Sequence, residues 1–293
     1  IEANCPPKAL LETQTLRMMI NSLIHLPKAL LNMKSLIMGF MFIYKIKSAG
    51  VPRYKSVSRL EAQSSGNGSI KFLFSHKGIR KSLTTKLLLI HQGVIPSTEI
   101  SRSVGVDHSW NTSQLAFQPI IDKWGKTNID GLYIAGDCGG INGSEAAVLY
   151  GKIVATKILY ETGKINFNLY KKQSFSISFS LFFTNSIRLF LDTLFAVPQE
   201  ILLPSDETIV CRCEEKTVGE IKLGLNEGIT GVRQLKTSIR SGMGLCQGRM
   251  CDAIVRGIML NNISQNDINI LAPKARSPIK PITLGELSKM KLD

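Results

Sequence analysis

The sequence predicts an α/β fold followed by a small, mostly helical domain that carries four cysteines. Three observations support this prediction. An apolar strand at 131–135 runs into a glycine-rich turn, and a helix follows over 144–160. Two cysteine pairs lie near the C-terminus. Between the pairs, Val218, Ile221 and Leu225 recur at helical spacing, so the two pairs can fold back on one another.

Length, composition and charge limit the kinds of protein that this sequence can encode. The 293 residues suffice for two or three domains, and 44% of them are hydrophobic, which is ordinary for a globular protein. The net charge is +14, but the lysines are scattered, without a dense run or interleaved aromatic residues, which argues against nucleic-acid binding. The charge suits an acidic partner subunit or a phosphate-bearing cofactor, or it reflects a host composition rich in Lys, Ile and Asn.

The start of the chain and its cysteines bear on localisation. The sequence begins at Ile1 rather than at a methionine, so we expect the true N-terminus to lie upstream. No charged, cleavable signal precedes an apolar stretch. Six cysteines, four of them clustered, fit a reducing compartment better than a disulfide framework. We therefore expect a cytoplasmic protein, which could also lie against the inner face of the membrane.

Two apolar stretches, 18–44 and 175–195, raise the question of a membrane span, which takes about twenty apolar residues. Charged or polar side chains interrupt both stretches, and Pro27 divides the first into two shorter helices. This pattern favours helices of a protein core or interface over membrane-spanning segments.

The remaining elements are predicted from local patterns. Residues 1–50 have helical periodicity, and strands are predicted at 57–62 and 69–74, joined by a turn at 64–68. A short buried strand is predicted at 87–90.

The glycine-rich turn from Gly136 to Gly143 predicts a binding site for an anion or a nucleotide. Glycines let backbone N–H groups approach an anion closely, and the helix that follows adds partial positive charge at its N-terminus. Asp137 would lie at the carboxyl end of a parallel strand, where its carboxylate could accept hydrogen bonds from ribityl or sugar hydroxyls. The alternative is an ordinary strand–turn–helix unit in which Asp137 is a cap.

The four clustered cysteines predict a metal or iron–sulfur site. Cys211 and Cys213 form a C-x-C pair, and Cys246 and Cys251 form a C-x-x-x-x-C pair. Thiolates are soft donors that suit iron, whereas structural zinc sites favour C-x-x-C pairs. The spacing therefore favours iron–sulfur, and structural zinc is the alternative. Cys5 and Cys138 lie outside the pattern.

Glycines and basic residues surround the second cysteine pair. Gly242, Gly244 and Gly248 would permit a tight loop and leave N–H groups free for cluster sulfurs. Lys236 and Arg240 either offset the negative charge of a tetrathiolate site or are solvated helix residues.

Two short motifs resemble a known flavoprotein family. YIAGD, ending at Asp137, resembles the second FAD-contacting motif of the two-dinucleotide-binding-domain flavoproteins, the glutathione-reductase-like group. HQGVIP at 91–96 resembles the segment that returns the chain to the FAD domain of that family. The resemblance implies FAD binding, with Asp137 on the ribityl chain. It assigns these cofactor-binding positions: Gly93, Pro96, Gly136, Asp137, Gly139, Gly140 and Gly143.

The C-terminal part of the sequence makes the family resemblance more specific. CRCEE, Lys236, Arg240, GMG, CQGR and the last cysteine resemble a domain related to bacterioferritin-associated ferredoxin. The order of the parts resembles the large flavoprotein subunits of opine oxidases, and related subunits of hydrogen cyanide synthase and dye-linked proline dehydrogenases. This implies a [2Fe–2S] cluster on Cys211, Cys213, Cys246 and Cys251. The implied fold class is a partial two-dinucleotide-binding-domain flavoprotein followed by a small, mostly α-helical [2Fe–2S] domain.

The resemblance also implies a domain organisation. Residues 1–84 would be a remnant of the pyridine-nucleotide-like domain and 85–164 the C-terminal part of the FAD domain. A connector at 165–205 would lead to the [2Fe–2S] domain at 206–262 and a tail at 263–293. The G-x-G-x-x-G motif of the family is missing, because GNGSIK at 66–71 lacks the last glycine. We therefore expect part of a longer protein or the product of a degraded gene.

The function implied is that of an electron-handling subunit in an amine, opine or imino-acid oxidising complex. A second flavoprotein subunit would oxidise the carbon–nitrogen bond, and electrons would pass between FAD and the cluster, or to an acceptor that could be membrane-associated. No catalytic residue is assigned, because His108 is better explained as a structural histidine. The alternatives are a non-catalytic electron-transfer or docking module and a zinc-stabilised interaction protein.

Overall fold

The computed structural model describes residues 5–261, 275 and 277–290. The β-strands are β1 (Leu10–Leu11), β2 (Arg53–Tyr54), β3 (Ser58–Ser64), β4 (Ile70–His76), β5 (Ile79–Thr85), β6 (His108–Asn111), β7 (Ala116–Pro119), β8 (Ile209–Cys211) and β9 (Lys216–Thr217). The α-helices are α1 (Leu16–Ser22), α2 (Leu26–Ala29), α3 (Met33–Ser48), α4 (Glu99–Ser103), α5 (Ser144–Glu161), α6 (Phe167–Asn185), α7 (Arg188–Leu194), α8 (Gln199–Leu202), α9 (Val218–Asn226), α10 (Val232–Ile239), α11 (Asp252–Leu260) and α12 (Leu284–Ser288).

The chain divides into two compact units. Unit 1 comprises Ile1–Val94 and Leu159–Glu200, and unit 2 comprises Ile95–Ile158 and Ile201–Asp293. Each unit is described by itself. The division differs from the sequence-predicted domain boundaries, which stay a prediction.

Unit 1 contains a three-stranded antiparallel sheet in the order β3-β4-β5. The middle strand pairs on both sides, with Phe72 opposite Ala62 and Leu83. Phe74 is fully buried and packs edge-on against Tyr54, with ring centroids 5.2 Å apart. The two predicted strands are thus confirmed. Strand β5 was not predicted, because most of its residues are polar and its apolar positions are few.

The helices of unit 1 are poorly buried. Pro27 lies in the first turn of α2, so it divides the first apolar stretch as predicted. Leu16–Ser48 and Phe167–Leu194 are long and apolar enough to cross a membrane by length and composition, which is weak evidence for a span. Only 11% and 22% of their most apolar windows are buried. Within the described residues these helices are therefore not core helices, and their place at an interface stays a prediction.

The predicted connector at 165–205 is more regular than expected. Helix α6 runs for 19 residues, and Asn166 caps its N-terminus by accepting a hydrogen bond from the Leu169 N–H at 2.9 Å. At its far end, the side chain of Asn32 donates to the carbonyl of Thr184 at 3.2 Å. Single side-chain caps of this kind set helix ends that apolar periodicity alone does not mark.

Unit 2 has a helical core formed by α9, α10 and α11. Val218, Ile221, Leu235, Ile258 and Met259 are buried there. Thr217 and Glu220 form a capping box at the start of α9, which confirms the predicted helix. Strands β6 and β7 form an antiparallel hairpin whose paired Trp110 and Phe117 rings lie 5.1 Å apart, and Phe117 joins the helical core.

Two predicted strands are not formed. Residues 131–135 contribute only an isolated antiparallel bridge between Tyr133 and Lys126. Leu87, Leu89 and Ile90 are exposed and outside any strand. A strand needs a neighbour for a continuous ladder of backbone hydrogen bonds. Residues 131–135 meet 125–127 only through the Tyr133–Lys126 bridge and two further backbone hydrogen bonds, and the described residues place no strand beside 87–90. Among the described residues, parallel pairing is limited to two residues each of β1 and β2. The fold is mixed α/β, as predicted, and helix α5 is confirmed.

Candidate functional site

The four clustered cysteines lie on short elements around the helical core of unit 2. Cys211 ends β8, and Cys213 lies in the turn that leads to β9. Cys246 lies in the loop between α10 and α11, and Cys251 caps the start of α11. Cys211 and Cys251 are buried, Cys246 is half-buried and Cys213 is exposed. The core therefore fixes one side of the cluster, and the other side faces solvent.

The structure brings the four thiols together in two pairs. Cys211 lies close enough to Cys251, and Cys213 to Cys246, for each thiol to affect the acidity of its neighbour. Each pair joins one cysteine from the C-x-C motif with one from the second motif. Cys246 and Cys251 also interact electrostatically, which links the pairs. The two motifs are thus neighbours in the fold, whereas the convergence of all four thiols on one metal centre stays a prediction.

The arrangement is one of free thiols. Among the described residues, no group of three or more His, Cys, Asp or Glu side chains is placed to hold a metal ion. The donors themselves fit an iron–sulfur centre, because four cysteines are its usual ligands and the Gly242 N–H donates to the Cys211 sulfur at 3.3 Å. The four cysteines therefore have the chemistry and the nearby N–H donor that an iron–sulfur centre needs, but the thiols are not placed at the distances that a filled site would have. The ligand assignment stays a prediction.

The pKa values of the two thiols in the second motif, Cys246 and Cys251, are shifted in opposite directions. Burial, followed by the charge and hydrogen bond of Cys211, raises the pKa of Cys251 to about 12. Burial alone would also raise the pKa of Cys246, but hydrogen bonds from the backbone of Met250, from Cys213 and from further backbone groups lower it overall. A metal ligand must be a thiolate, so metal binding here would release protons.

The glycines of the cysteine loop are required by its geometry. A Cβ atom on Gly244 would lie 2.0 Å from the Cβ of Cys213, which no side chain can accommodate without a shift of the backbone. Gly242 and Gly248 have φ of +81° and +83°, a region that favours glycine. Their predicted role in a tight loop is therefore confirmed.

The two basic residues near the loop have different surroundings. The Arg240 side chain donates to a carboxylate oxygen of Glu214 at 2.8 Å. Lys236 lies under the loop, since a Cβ on Gly242 would be 3.9 Å from its Cε, and its charge acts on Asp252. Arg240 is thus an exposed residue with a carboxylate partner and Lys236 is half-buried beside the loop, and their role in offsetting the charge of a metal site stays a prediction.

The Asp137 turn is held in shape by a side chain that the sequence did not single out. Asp137, Cys138 and Gly139 form a single 3₁₀ turn, with Gly136 at φ +79° before it. The Gln114 amide donates to the carbonyl of Ile141 at 2.8 Å and accepts from its N–H at 3.1 Å. This role of Gln114 cannot be recognised in the sequence, because only the folded hairpin β6–β7 places Gln114 against the turn.

The turn leaves Asp137 exposed. One carboxylate oxygen accepts from the Asn142 N–H at 3.3 Å, and the other lone pairs are open to a hydroxyl ligand. A Cβ on Gly140 would lie 3.1 Å from the Gln118 amide nitrogen, so the loop packs closely there, and Gly143 has φ +94°. Gly93 is exposed at φ +113° in unit 1. Pro96 is buried in unit 2, and the predicted cofactor roles of these residues stay predictions.

His108 is a structural residue in this fold. Its Nδ1 lies 2.7 Å from the carbonyl of Val106, which can only accept, so Nδ1 carries the proton. Its Nε2 lies 2.9 Å from the Ser101 hydroxyl, which also lies 3.0 Å from the carbonyl of Thr98. Burial lowers the pKa of His108, which keeps the ring neutral at pH 7. Both ring nitrogens are used within the protein, in agreement with the structural interpretation.

Comparison with known proteins identifies relatives of the chain. No family model matches it. The A subunit of opine oxidase from Agrobacterium tumefaciens (strain Ach5) is 41% identical over 219 residues, which are 72% of this chain and 42% of that protein. The A subunit of opine oxidase from Rhizobium meliloti (strain 1021) is 33% identical over 287 residues, 96% of this chain and 61% of that protein. Hydrogen cyanide synthase subunit HcnB of Pseudomonas protegens is 29% identical, over 68% of this chain and 42% of that protein.

A solved structure has a similar fold. The L-proline dehydrogenase structure from P. horikoshii matches with a TM-score of 0.59 and 21% identity, over 84% of this chain and 47% of that chain. At this identity the likeness shows the fold alone. The predicted resemblance to subunits of opine oxidase and hydrogen cyanide synthase is confirmed, and the proline dehydrogenase structure agrees with the predicted resemblance in fold. The chain spans about half the length of the relatives it matches.

Proposed function

We propose that this chain is part of the electron-handling subunit of a complex that oxidises a carbon–nitrogen bond of an amine, an opine or an imino acid. The observation that carries the proposal is the pairing of thiols from two distant motifs on one helical core, in a chain similar to the A subunit of opine oxidase. A second flavoprotein subunit would oxidise the substrate. The names of the relatives, which are themselves subunits, support a hetero-oligomer.

Residues 206–262 would form the [2Fe–2S] domain, with Cys211, Cys213, Cys246 and Cys251 as ligands. When bound, the cluster supplies one-electron transfer. The chain contributes four soft donors and the Gly242 N–H, which donates to the sulfur of Cys211, and such hydrogen bonds set the reduction potential of a cluster. The exposed side around Cys213 is where an electron donor or acceptor would approach.

The turn from Gly136 to Gly143 would hold part of FAD, which supplies two-electron chemistry when bound. Asp137 would accept hydrogen bonds from ribityl hydroxyls, for which its exposed carboxylate has free lone pairs. Gln114 would keep the turn in the conformation that presents Asp137. A complete FAD site needs a second phosphate-binding segment, because this sequence has no G-x-G-x-x-G motif.

We further propose a cytoplasmic location at the inner face of the membrane. Leu16–Ser48 supports it, because the segment has five basic and no acidic residues and many exposed apolar side chains. Basic apolar helices bind anionic lipid surfaces. Flotation with vesicles that contain phosphatidylserine should carry the protein upward, and vesicles of phosphatidylcholine alone should carry much less. Equal flotation with the two kinds of vesicle would contradict the electrostatic part of the proposal. Flotation with neither kind would contradict binding at the membrane surface.

The experiment that tests the function is an anaerobic purification followed by a visible absorption spectrum and analysis of iron, sulfide and zinc. We expect about two irons and two sulfides per chain and a spectrum that dithionite bleaches. A flavin band beside it would support FAD binding. Colourless protein with one zinc would replace the electron-transfer function by the zinc-stabilised interaction protein.

Matched serine variants locate the ligands. Cys213→Ser and Cys246→Ser should each lower bound iron and sulfide. Cys5→Ser and Cys138→Ser are the controls, because both residues are exposed and outside the cluster. A loss of iron in the control variants as large as in the test variants would reject the assignment.

A further inference from the structure

Unit 2 contains a cavity of about 810 Å³, which is within the size range of small-molecule sites. Its walls come from the segment 95–102, from strand β7, from helix α10, from the loop 240–249 and from the first turns of α11. Cys251, one of the four predicted ligands, also lines it, so the cavity lies directly beside the thiol cluster.

The lining of the cavity is strongly cationic. Six of its side chains are basic and two are acidic. The basic residues are Arg102, Arg233, Lys236, Arg240, Arg249 and Arg256, and the acidic residues are Glu99 and Asp252. Both acids already have partners. Asp252 forms an ion pair with Arg256, and Glu99 lies 3.6 Å from Arg249. Arg240 is paired with Glu214, which lies outside the lining. An excess of positive charge therefore remains around the cavity.

Helix α10 concentrates this charge on one face. Lys236 and Thr237 lie three and four residues after Arg233, which places the three side chains on the same side of the helix, and Arg240 follows the helix end; all four line the cavity. Like charges at this spacing repel one another and destabilise a helix. A bound anion between the basic side chains would offset their mutual repulsion, because each of them is attracted to the anion.

Buried polar atoms in the wall lack partners. The Arg256 guanidinium is held between Asp252 and the rings of Trp110 and Phe117, whose centroids lie 5.6 and 5.5 Å from its Cζ. Its Nη1 and the hydroxyl oxygen of Ser241 are buried, and the described residues supply no hydrogen-bond partner for either. Buried polar groups are nearly always paired, so a ligand oxygen or an ordered water is the missing acceptor.

We propose that this cavity binds a small phosphate-bearing ligand. Arginine guanidinium groups match phosphate oxygens in charge and in planar geometry, and arginine is the commonest lining residue here. Ile95, Pro96, Phe117 and Val232 add an apolar side to the lining, and the volume accommodates a mononucleotide as well as a free phosphate.

The test is calorimetric titration of the full chain with AMP, with inorganic phosphate and with adenosine, at low ionic strength. We expect AMP or phosphate to bind, and adenosine to bind at least tenfold more weakly than AMP. Tighter binding of AMP than of phosphate would identify a nucleotide as the source of the phosphate group. Equal binding would identify a free phosphate. Binding of neither, or equal binding of AMP and adenosine, would overturn the proposal.

Two variants and a control connect binding to the cavity. Arg233→Gln should weaken binding several-fold, and Arg233→Gln combined with Lys236→Gln by tenfold or more, while circular dichroism shows the fold unchanged. Arg80→Gln is the control, because Arg80 is exposed in unit 1 and pairs with Glu61 at 2.7 Å. Unchanged affinity in the folded double variant would place the ligand elsewhere. Iron analysis of the same samples reports separately on the proposed electron-transfer function, so the two proposals can fail independently.

Discussion

Helices α3 and α9 carry similar apolar residues but differ in how they are buried. Helix α9 of unit 2 buries Val218 and Ile221 completely, against α10 and α11. Helix α3 of unit 1 has no buried residue, and Phe40 and Tyr44 are each more than 70% exposed. Apolar content alone therefore does not decide burial. Unit 2 covers its own apolar faces, whereas α3 needs a surface that the described residues do not supply.

The sharpest way to break this comparison is to truncate apolar side chains in both helices. Ile221→Ala should lower the free energy of unfolding by about 2–5 kcal/mol, because it leaves a cavity in a packed core. Leu223→Ala, on the same helix but 59% exposed, and Phe40→Ala in α3 should each change it by about 0.5 kcal/mol or less. Chemical denaturation measures all three. A cost for Phe40→Ala as large as that for Ile221→Ala would show that α3 is covered in solution.

The next largest effect is expected at the cysteine loop. Gly244→Ala should destabilise unit 2 by about 1–3 kcal/mol and lower its iron content, because the new Cβ would overlap the Cys213 side chain. Gly151→Ala is the matched control in helix α5, where a Cβ meets nothing within 4 Å, and it should stabilise by up to about 1 kcal/mol. Thermal unfolding with iron analysis distinguishes them. A neutral Gly244→Ala would mean that the loop moves away from Cys213 in solution.

Helix caps offer a smaller, local comparison of the two units. Thr217→Ala should cost about 1 kcal/mol at α9, where Glu220 completes the capping box. Thr15→Ala should cost less at α1, because its reciprocal partner is the Met18 thioether, a weak acceptor. Hydrogen exchange of the amides in each helix measures the two caps separately. Equal losses of protection at α1 and α9 would contradict the expected order.

The smallest effect is a pH dependence in unit 2. Burial places the pKa of His108 in the folded protein below its unfolded value of about 6.5. The unfolded state then binds a proton first as the pH falls. Stability is therefore complete above pH 6.5 and is lost as the pH drops through the folded pKa. The urea midpoint should fall between pH 7 and pH 5, and His108→Gln should reduce that fall. An unchanged fall in the variant would assign the dependence to other groups.

Local pattern predicted those elements whose stabilising contacts are close in sequence. The hairpin of β3 and β4 has its turn and its alternating residues within one stretch of chain, and helices α5 and α9 carry their own caps or apolar spacing. The predicted strands at 87–90 and 131–135 failed, because a strand depends on a neighbour that its own sequence does not specify. Strand β5 was missed for the converse reason, since its pairing with β4 compensates for its polar residues.

The sequence by itself identified the residues of the candidate site. Spacing marked the four cysteines, and residue type marked Asp137 and the glycines, because ligand chemistry and permitted backbone angles belong to single residues. Only the tertiary structure decided which residues meet. It paired Cys211 with Cys251, set Gln114 against the Asp137 turn and gathered arginines from separate elements around one cavity. Such contacts join residues distant in the chain, and packing of the core, rather than local periodicity, sets their distances.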